Sequence, residues 1–250
     1  MPNFKHDGLD FAFLDEGEGD PIMLVHGFAS NKEINWVLPG WVFTLRSAGR
    51  RVIALDNRGH GQSSKPHDAA AYSLPLMAGD VIALLDHLKI ERADMLGYSM
   101  GGRMTCLMAI KDPERLRSAI LGGIGASLIT GPGRGDHIVK ALEADNAASV
   151  ADPVARSFRT FADQTRSDLK ALAACMHGLR HQFLPEELAG CRVPVLIVRG
   201  DQDDIAGPGE KIAQMIPGAE YIEIPTRNHM TAVGDKVFKQ GALDFLNQRP

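Results

Sequence analysis

Long apolar runs are missing from this chain. No stretch of about 18 consecutive apolar residues occurs, so a membrane-spanning helix is not expected. The opening residues Met1-Pro2-Asn3-Phe4-Lys5-His6 lack the layout of a signal peptide. Cysteine is scarce. Cys106, Cys175 and Cys191 are widely spaced and odd in number, which fits neither a disulfide framework nor a zinc site and points to a reducing, cytoplasmic setting. Dense Lys/Arg runs are absent too, and a net charge of −4 argues against a nucleic-acid platform. Arg50-Arg51 and Lys111 to Arg117 read as solvated loops beside strands. No Walker pattern and no His/Cys ligand cluster is present, so neither metal nor nucleotide is expected. Gly59-His60-Gly61-Gln62-Ser63-Ser64 begins like a dinucleotide fingerprint, but Ser64 stands where the third glycine belongs and Lys65-Pro66 follows where a helix should. No cofactor is called for.

What is present is ordinary for a globular protein: 44% hydrophobic and 23% charged residues over 250 positions, enough for one sizeable domain or a domain with an insertion. Phe4 to Leu14 alternates loosely and turns at Asp7-Gly8, predicting a β-hairpin, with a loop from Asp15 to Asp20. Pro21 to Val25, Arg51 to Asp56, Ala119 to Leu121, Val193 to Val198 and Tyr221 to Ile224 are short apolar runs, typical of strands buried on both faces. Between them, Trp36 to Ala48 predicts a helix interrupted early by Pro39-Gly40, and Leu74 to Leu88 has helical spacing. A helix to Ile216 and a closing helix from Met230 to Leu246 complete the pattern. Strand–helix alternation predicts an α/β fold with a mostly parallel central sheet, covered by helices on both faces. Residues 126–188 break the rhythm. The loop Thr130-Gly131-Pro132-Gly133-Arg134-Gly135 leads into helical pieces at Ile138 to Ala144, Pro153 to Ala162 and Leu169 to Leu179. This segment reads as a small helical lid, inserted in a core made of residues 1–125 and 189–250.

The densest local signal is Leu96-Gly97-Tyr98-Ser99-Met100-Gly101-Gly102, set between the apolar strand ending there and the helical run Arg103 to Lys111. Gly97-x-Ser99-x-Gly101 matches a nucleophile elbow. A serine on so tight a strand-to-helix turn crowds its neighbours, so the residues two before and two after must be very small. In return its Oγ projects from the sheet, beside a helix N-terminus that favours negative charge. A serine hydroxyl is a weak nucleophile and needs a base that is itself oriented by an acid. Two later loops offer these: Arg199-Gly200-Asp201-Gln202-Asp203-Asp204 and Asn228-His229-Met230, each just after a strand. Serine, acid and histidine then come in the order such a triad requires.

Taken together, the chain closely resembles the α/β-hydrolase family over nearly its whole length. The resemblance rests on His26-Gly27-Phe28, Asp56-x-Arg58-Gly59-His60-Gly61-x-Ser63, the elbow, Gly200-x-x-Asp203 and the late His229. It implies the α/β-hydrolase fold, Ser99 as nucleophile, His229 as base and Asp203 as acid. Asp204 is the runner-up for the acid, and Asp201 reads as a surface residue. It also implies an oxyanion hole from the backbone N–H groups of Phe28 and Met100. Asn228 departs from the glycine that often precedes the family's catalytic histidine. His26 reads as a brace for the glycine loop and His60 as part of its own turn. His87, His137, His177 and His181 fall on helical runs. Trp36, Leu128, Phe158, Phe161 and Met230 are the candidate pocket residues. The implied activity is cofactor-independent hydrolysis of a small or medium carboxylic ester, lactone or thioester, with a small-molecule substrate as partner. Serine at the elbow sets the chain apart from dehalogenases and epoxide hydrolases, which use aspartate there. Carbon–carbon bond hydrolysis, acyl transfer, perhydrolysis or slow-turnover ligand sensing by the same residues remain alternatives. Oligomeric state is left open.

Overall fold

A computed structural model describes residues 2–131, 133 and 135–248. The Pro132 and Arg134 positions of the expected glycine-rich loop, and Met1, lie outside the described residues. Strands β1 (Asn3–His6) and β2 (Leu9–Glu16) form the expected hairpin. Its two turn residues, Asp7 and Gly8, both take positive φ (48° and 76°), the turn hand that matches strand twist. β2 runs to Glu16, two residues into the predicted loop, because Asp15 and Glu16 still pair with the next strand but one. Then come β3 (Asp20–Val25), a π-helical turn (Glu33–Val37), α1 (Trp41–Ser47) and β4 (Arg50–Leu55). The predicted 36–48 helix is therefore split. Gly40, at φ 81°, breaks the winding and α1 restarts at Trp41.

α2 (Leu74–His87), β5 (Ala93–Tyr98), α3 (Met100–Lys111) and β6 (Leu116–Gly122) follow. Residues 126–188 then carry α4 (Ser127–Thr130), α5 (Gly135–Glu143), α6 (Pro153–Gln164), α7 (Leu169–Gly178) and the start of α8 (Pro185–Ala189), with no strand among the described residues. β7 (Val195–Gly200), α9 (Glu210–Met215), β8 (Glu220–Ile224) and α10 (Lys236–Gln248) close the chain. α9 is shorter than predicted because residues 201–209 form a loop. The closing helix starts at Lys236, because Asn228 to Asp235 are held in turns, with Ala232 N–H on Asn228 O and Asp235 N–H on Ala232 O.

The eight strands form one sheet, ordered β1-β2-β4-β3-β5-β6-β7-β8. The first two pairings are antiparallel and the rest parallel. Central strands alternate between two cores. Met23, Val25, Ile53, Leu55, Met95 and Leu121 join the core under α2 and α3. Ile22, Leu24, Val52, Ala54, Leu96 and Ile120 join the one under α1 and α10. Each of the larger side chains among these, fully removed from water, contributes about 1.5–3 kcal/mol. Arg50 is a correction: it is buried in β4, donating to Asp94 on β5 at 3.2 Å and to Leu246 O at 3.2 Å, so it ties strand to closing helix. Strand order reverses between β3 and β5, and the loops after those two strands open a crevice at their carboxyl ends.

Candidate active site

Ser99 sits in that crevice, between β5 and α3, with φ 54° and ψ −111°. That strained backbone is enforced by the close approach of its surroundings. A Cβ on Gly97 would strike Gly101 O, and one on Gly101 would strike Val25 O on β3. Ser99 N–H donates to Gly122 O at 2.8 Å, and Arg103 N–H to Ser99 O at 3.0 Å, so the elbow is pinned to β6 and to its own helix. α3 begins at Met100, three residues before the apolar helical run, because the two glycines allow the helix to start directly at the serine.

His229 Nε2 lies 2.9 Å from Ser99 Oγ, and its Nδ1 lies 2.8 and 3.0 Å from the two oxygens of Asp203. A carboxylate only accepts, so Nδ1 carries the proton and Nε2 is left to accept from the serine hydroxyl. Asp203 is 1% and His229 5% exposed, so water competes little with these bonds. Burial alone would raise the Asp203 carboxyl. Bonds from His229 and from Ala206 N–H, with Arg199 nearby, hold it below the usual range instead. The structure leaves Asp204 exposed on the following turn, and Asp201 exposed where it accepts from Arg227 N–H at 3.3 Å. Asn228, at the expected glycine position, makes its own turn by accepting from Met230 and Thr231 N–H at 3.1 Å each.

Two contacts were not anticipated from the sequence. Tyr98 O–H donates to His229 O at 2.6 Å, fixing the backbone that carries the imidazole, and burial pushes that phenol well up. Asn35 Oδ1 accepts from Gly27 N–H at 2.8 Å, holding the loop before Phe28. Below that loop lies a buried polar cluster. Asp56 accepts from Lys32 Nζ at 2.6 Å, Lys32 N–H at 2.8 Å and Gln62 N–H at 2.9 Å. His26 donates Nδ1–H to Gly27 O and accepts Asn57 N–H at Nε2. His60 donates Nδ1–H to Arg58 O at 2.9 Å and meets the Phe28 ring edge-to-face at 5.8 Å. Burial, with the neighbouring His26, pushes His60 down to about 3, so it stays neutral. Ala29 at φ 59° turns the loop past Phe28.

Two cavities meet at Ser99. The larger, about 710 Å³, is bordered by His229, Phe161 and Met230; the smaller, about 410 Å³, by Met100 and Arg103; Phe28, Ser99 and Phe158 border both. Phe28 and Phe158 stand edge-to-face at 6.0 Å as a partial wall between them. Two expected pocket residues are elsewhere. Trp36 is fully buried against Trp41, ring centroids 6.1 Å apart, because the π-helical turn rotates it into the core. Leu128 is likewise fully buried in the core beside Phe183, whose N–H donates to its carbonyl. His67 and His137 pair with Asp168 and Asp152 away from Ser99. Among the described residues no three His, Cys, Asp or Glu side chains gather as metal ligands, and no helix is long and apolar enough to cross a membrane.

A family model described as the alpha/beta hydrolase fold matches residues 20–178. A putative 2-succinyl-6-hydroxy-2,4-cyclohexadiene-1-carboxylate synthase of Bacillus subtilis (strain 168) is 25% identical, the alignment covering 96% of both chains. Among solved structures, a hydrolase from Pseudomonas aeruginosa PA01 superposes with TM-score 0.82 at 27% identity, over 98% of this chain and 97% of that one. The enol-lactonase from Burkholderia xenovorans LB400 superposes with TM-score 0.85 at 25% identity, over 99% of this chain and all of that one.

Proposed function

This chain belongs to the α/β-hydrolase fold family, and on that premise we propose that it is a serine hydrolase cleaving a small or medium carboxylic ester, lactone or thioester. The observation that carries this reading is the continuous relay from Asp203 through His229 to Ser99 Oγ, held by backbone-anchored loops at the mouth of two cavities. His229 Nε2 takes the hydroxyl proton as Ser99 Oγ attacks the carbonyl carbon, forming a C–O bond and an oxyanion. The N–H groups of Phe28 and Met100 receive that oxyanion. His229 then gives its proton to the departing oxygen or sulfur as the old bond breaks. Water repeats the cycle, its proton going to His229 and its oxygen to the acyl carbon, and Ser99 leaves with the returned proton. Asp203 keeps the imidazole in the productive tautomer and balances its charge throughout. The helical segment 126–188 acts as the lid, contributing Phe158 and Phe161.

A second reading, the same three residues doing chemistry other than ester hydrolysis, is favoured by the Bacillus subtilis relative, which bears a synthase name. Labelling tests what both share. A fluorophosphonate should add once, and peptide mass spectrometry should place it on Ser99. Ser99→Ala should remove both label and ester turnover, by about 10⁶-fold for a unit of this kind. An adduct on another serine, or a Ser99→Ala enzyme keeping several per cent of wild-type rate, removes the nucleophile assignment. A full adduct without turnover of any ester selects the second reading.

A further inference from the structure

Ester cleavage as described has no use for one charge in the smaller cavity. Arg103 lies one helical turn past Ser99 on α3, and its side chain borders that cavity. It donates Nη1–H to Ser127 O at 2.9 Å and Nη2–H to His181 O at 2.5 Å, two of the five N–H donors of a guanidinium. Its face lies 5.8 Å from the Phe183 ring centroid. Among the described residues no carboxylate stands within ion-pair distance of it, whereas Arg50, Arg58, Arg159 and Arg199 each have one. Arg103 is half-buried, a cation partly withdrawn from water without a counter-charge is disfavoured, and burial pulls its pKa down. Among the described residues that border this cavity the other charged side chain is Asp204, which is exposed and makes no ion pair with Arg103.

Proton traffic decides which part of a substrate meets Arg103. The leaving group must receive its proton from His229, and His229 borders the larger cavity and not the smaller. Leaving group and incoming water therefore use the larger cavity, and the acyl chain extends the other way, past Met100 towards Arg103. Building on the serine-hydrolase reading above, we propose that Arg103 is the carboxylate-recognising residue of the acyl subsite. The substrate is then an ester, lactone or thioester whose acyl part carries a carboxylate a few carbons from the reacting carbonyl. Planar, multi-donor guanidinium is suited to that group, and a pocket built to bond a charge rejects the neutral analogue strongly.

Monoethyl glutarate and ethyl valerate share leaving group and acyl length and differ in the terminal carboxylate. The wild-type protein should favour the glutarate ester in kcat/KM by about 10-fold or more, a preference that shrinks as salt is raised. Arg103→Gln should lower the glutarate-to-valerate ratio by about 30-fold, and Arg103→Lys should restore part of it. A brace that merely ties the Ser127 and His181 carbonyls would lower both rates together and leave the ratio alone. Should Arg103→Gln not fold, calorimetry on Ser99→Ala protein with monoethyl glutarate and ethyl valerate gives the answer with Arg103 intact. Monoethyl glutarate should bind at least about tenfold more tightly. Equal or weaker binding of monoethyl glutarate, or an unchanged ratio in a folded Arg103→Gln, overturns the proposal. If Ser99 takes the fluorophosphonate in that case, Arg103 alone is misassigned; if it does not, the hydrolase reading falls as well.

Discussion

The loops at the sheet's carboxyl edge and the helical segment 126–188 both border the cavities, but they are held by different forces. The edge loops are fixed through main chain. Ser99 bonds to Gly122 O, Gly27 N–H to Asn35, Lys32 N–H to Asp56, and the His229 carbonyl to Tyr98. Those bonds are buried, so each is worth more than at a surface, and breaking one strands its partner. The helical segment is fixed mainly by side-chain packing of α5 against α6 and α7, with Arg159 capping the carbonyls at the end of α5. Main-chain anchoring preserves atomic positions to a fraction of an ångström, which chemistry needs. Packing of apolar side chains preserves volume, which selects among substrates. On this view, changes at the edge loops act on rate or stability, and changes in the helical segment act on preference.

The sharpest way to break that contrast is at the acid. Asp203→Asn keeps the shape of the side chain but lets Nδ1 be presented with a donor, stabilising the wrong imidazole tautomer. The expected loss is about 10⁴-fold in kcat, with KM little changed. Asp204→Asn, on an exposed carboxylate outside the relay, should cost less than about tenfold. Steady-state kinetics on the best ester compares the two directly, and the opposite ranking would move the acid by one residue.

A smaller effect belongs to the buried cluster under the glycine loop. His60 titrates near 3 in the folded protein against an ordinary 6.5, so between those values the unfolded chain holds a proton that the native one lacks. Its contribution to stability is thus complete above about pH 6.5 and is lost as pH falls, at about 1.4 kcal/mol per pH unit. His26, also lowered by burial, adds in the same direction. Thermal unfolding from pH 7 to pH 4 should show His60→Gln starting less stable and declining less steeply than wild type. Parallel curves would mean that His60 is not the neutral, buried group described above.

How much of this was readable in advance follows from the same division. Ser99 and His229 stood out because an elbow requires small neighbours at fixed offsets and because both later loops follow apolar strands, whereas Asp203 was set apart from Asp201 and Asp204 only by the family resemblance. Tyr98 did not, since its hydroxyl meets His229 across 131 residues and nothing local marks the contact. Arg50 was misread because a double arginine looks solvated until Asp94 is known to lie on the strand two places away in the sheet. Trp36 and Leu128 were misplaced because an apolar side chain suits a pocket wall and a core equally. Only the winding after residue 33 and the packing beside Phe183 decide between the two. Helix starts at Met100 and Lys236 depended on glycines and turns, not on apolar spacing.

The finest test of the contrast lies in α6, where two phenylalanines one turn apart do different jobs. Phe158 is buried, meets Phe28 edge-to-face and borders both cavities, whereas Phe161 borders the larger cavity only. Phe158→Ala removes part of the wall between the two spaces, so it should shift preference among acyl chains and among leaving groups alike. Phe161→Ala enlarges only the space assigned to the leaving group, so it should shift preference among alcohols and leave the order of acyl chains as it was. One side chain of lost apolar contact is worth about 1–3 kcal/mol between competing substrates, or roughly 10- to 200-fold in relative kcat/KM. The best ester should still turn over with a kcat close to wild type, because neither ring supplies a hydrogen bond to the relay from Asp203 to Ser99. A matrix of esters, varied in acyl length along one axis and alcohol size along the other, separates the two variants in a single experiment. If both folded variants reproduce the wild-type matrix, the helical segment does not select substrate. If Phe161→Ala reorders the acyl axis and Phe158→Ala does not, the two cavities have been assigned to the wrong halves of the substrate.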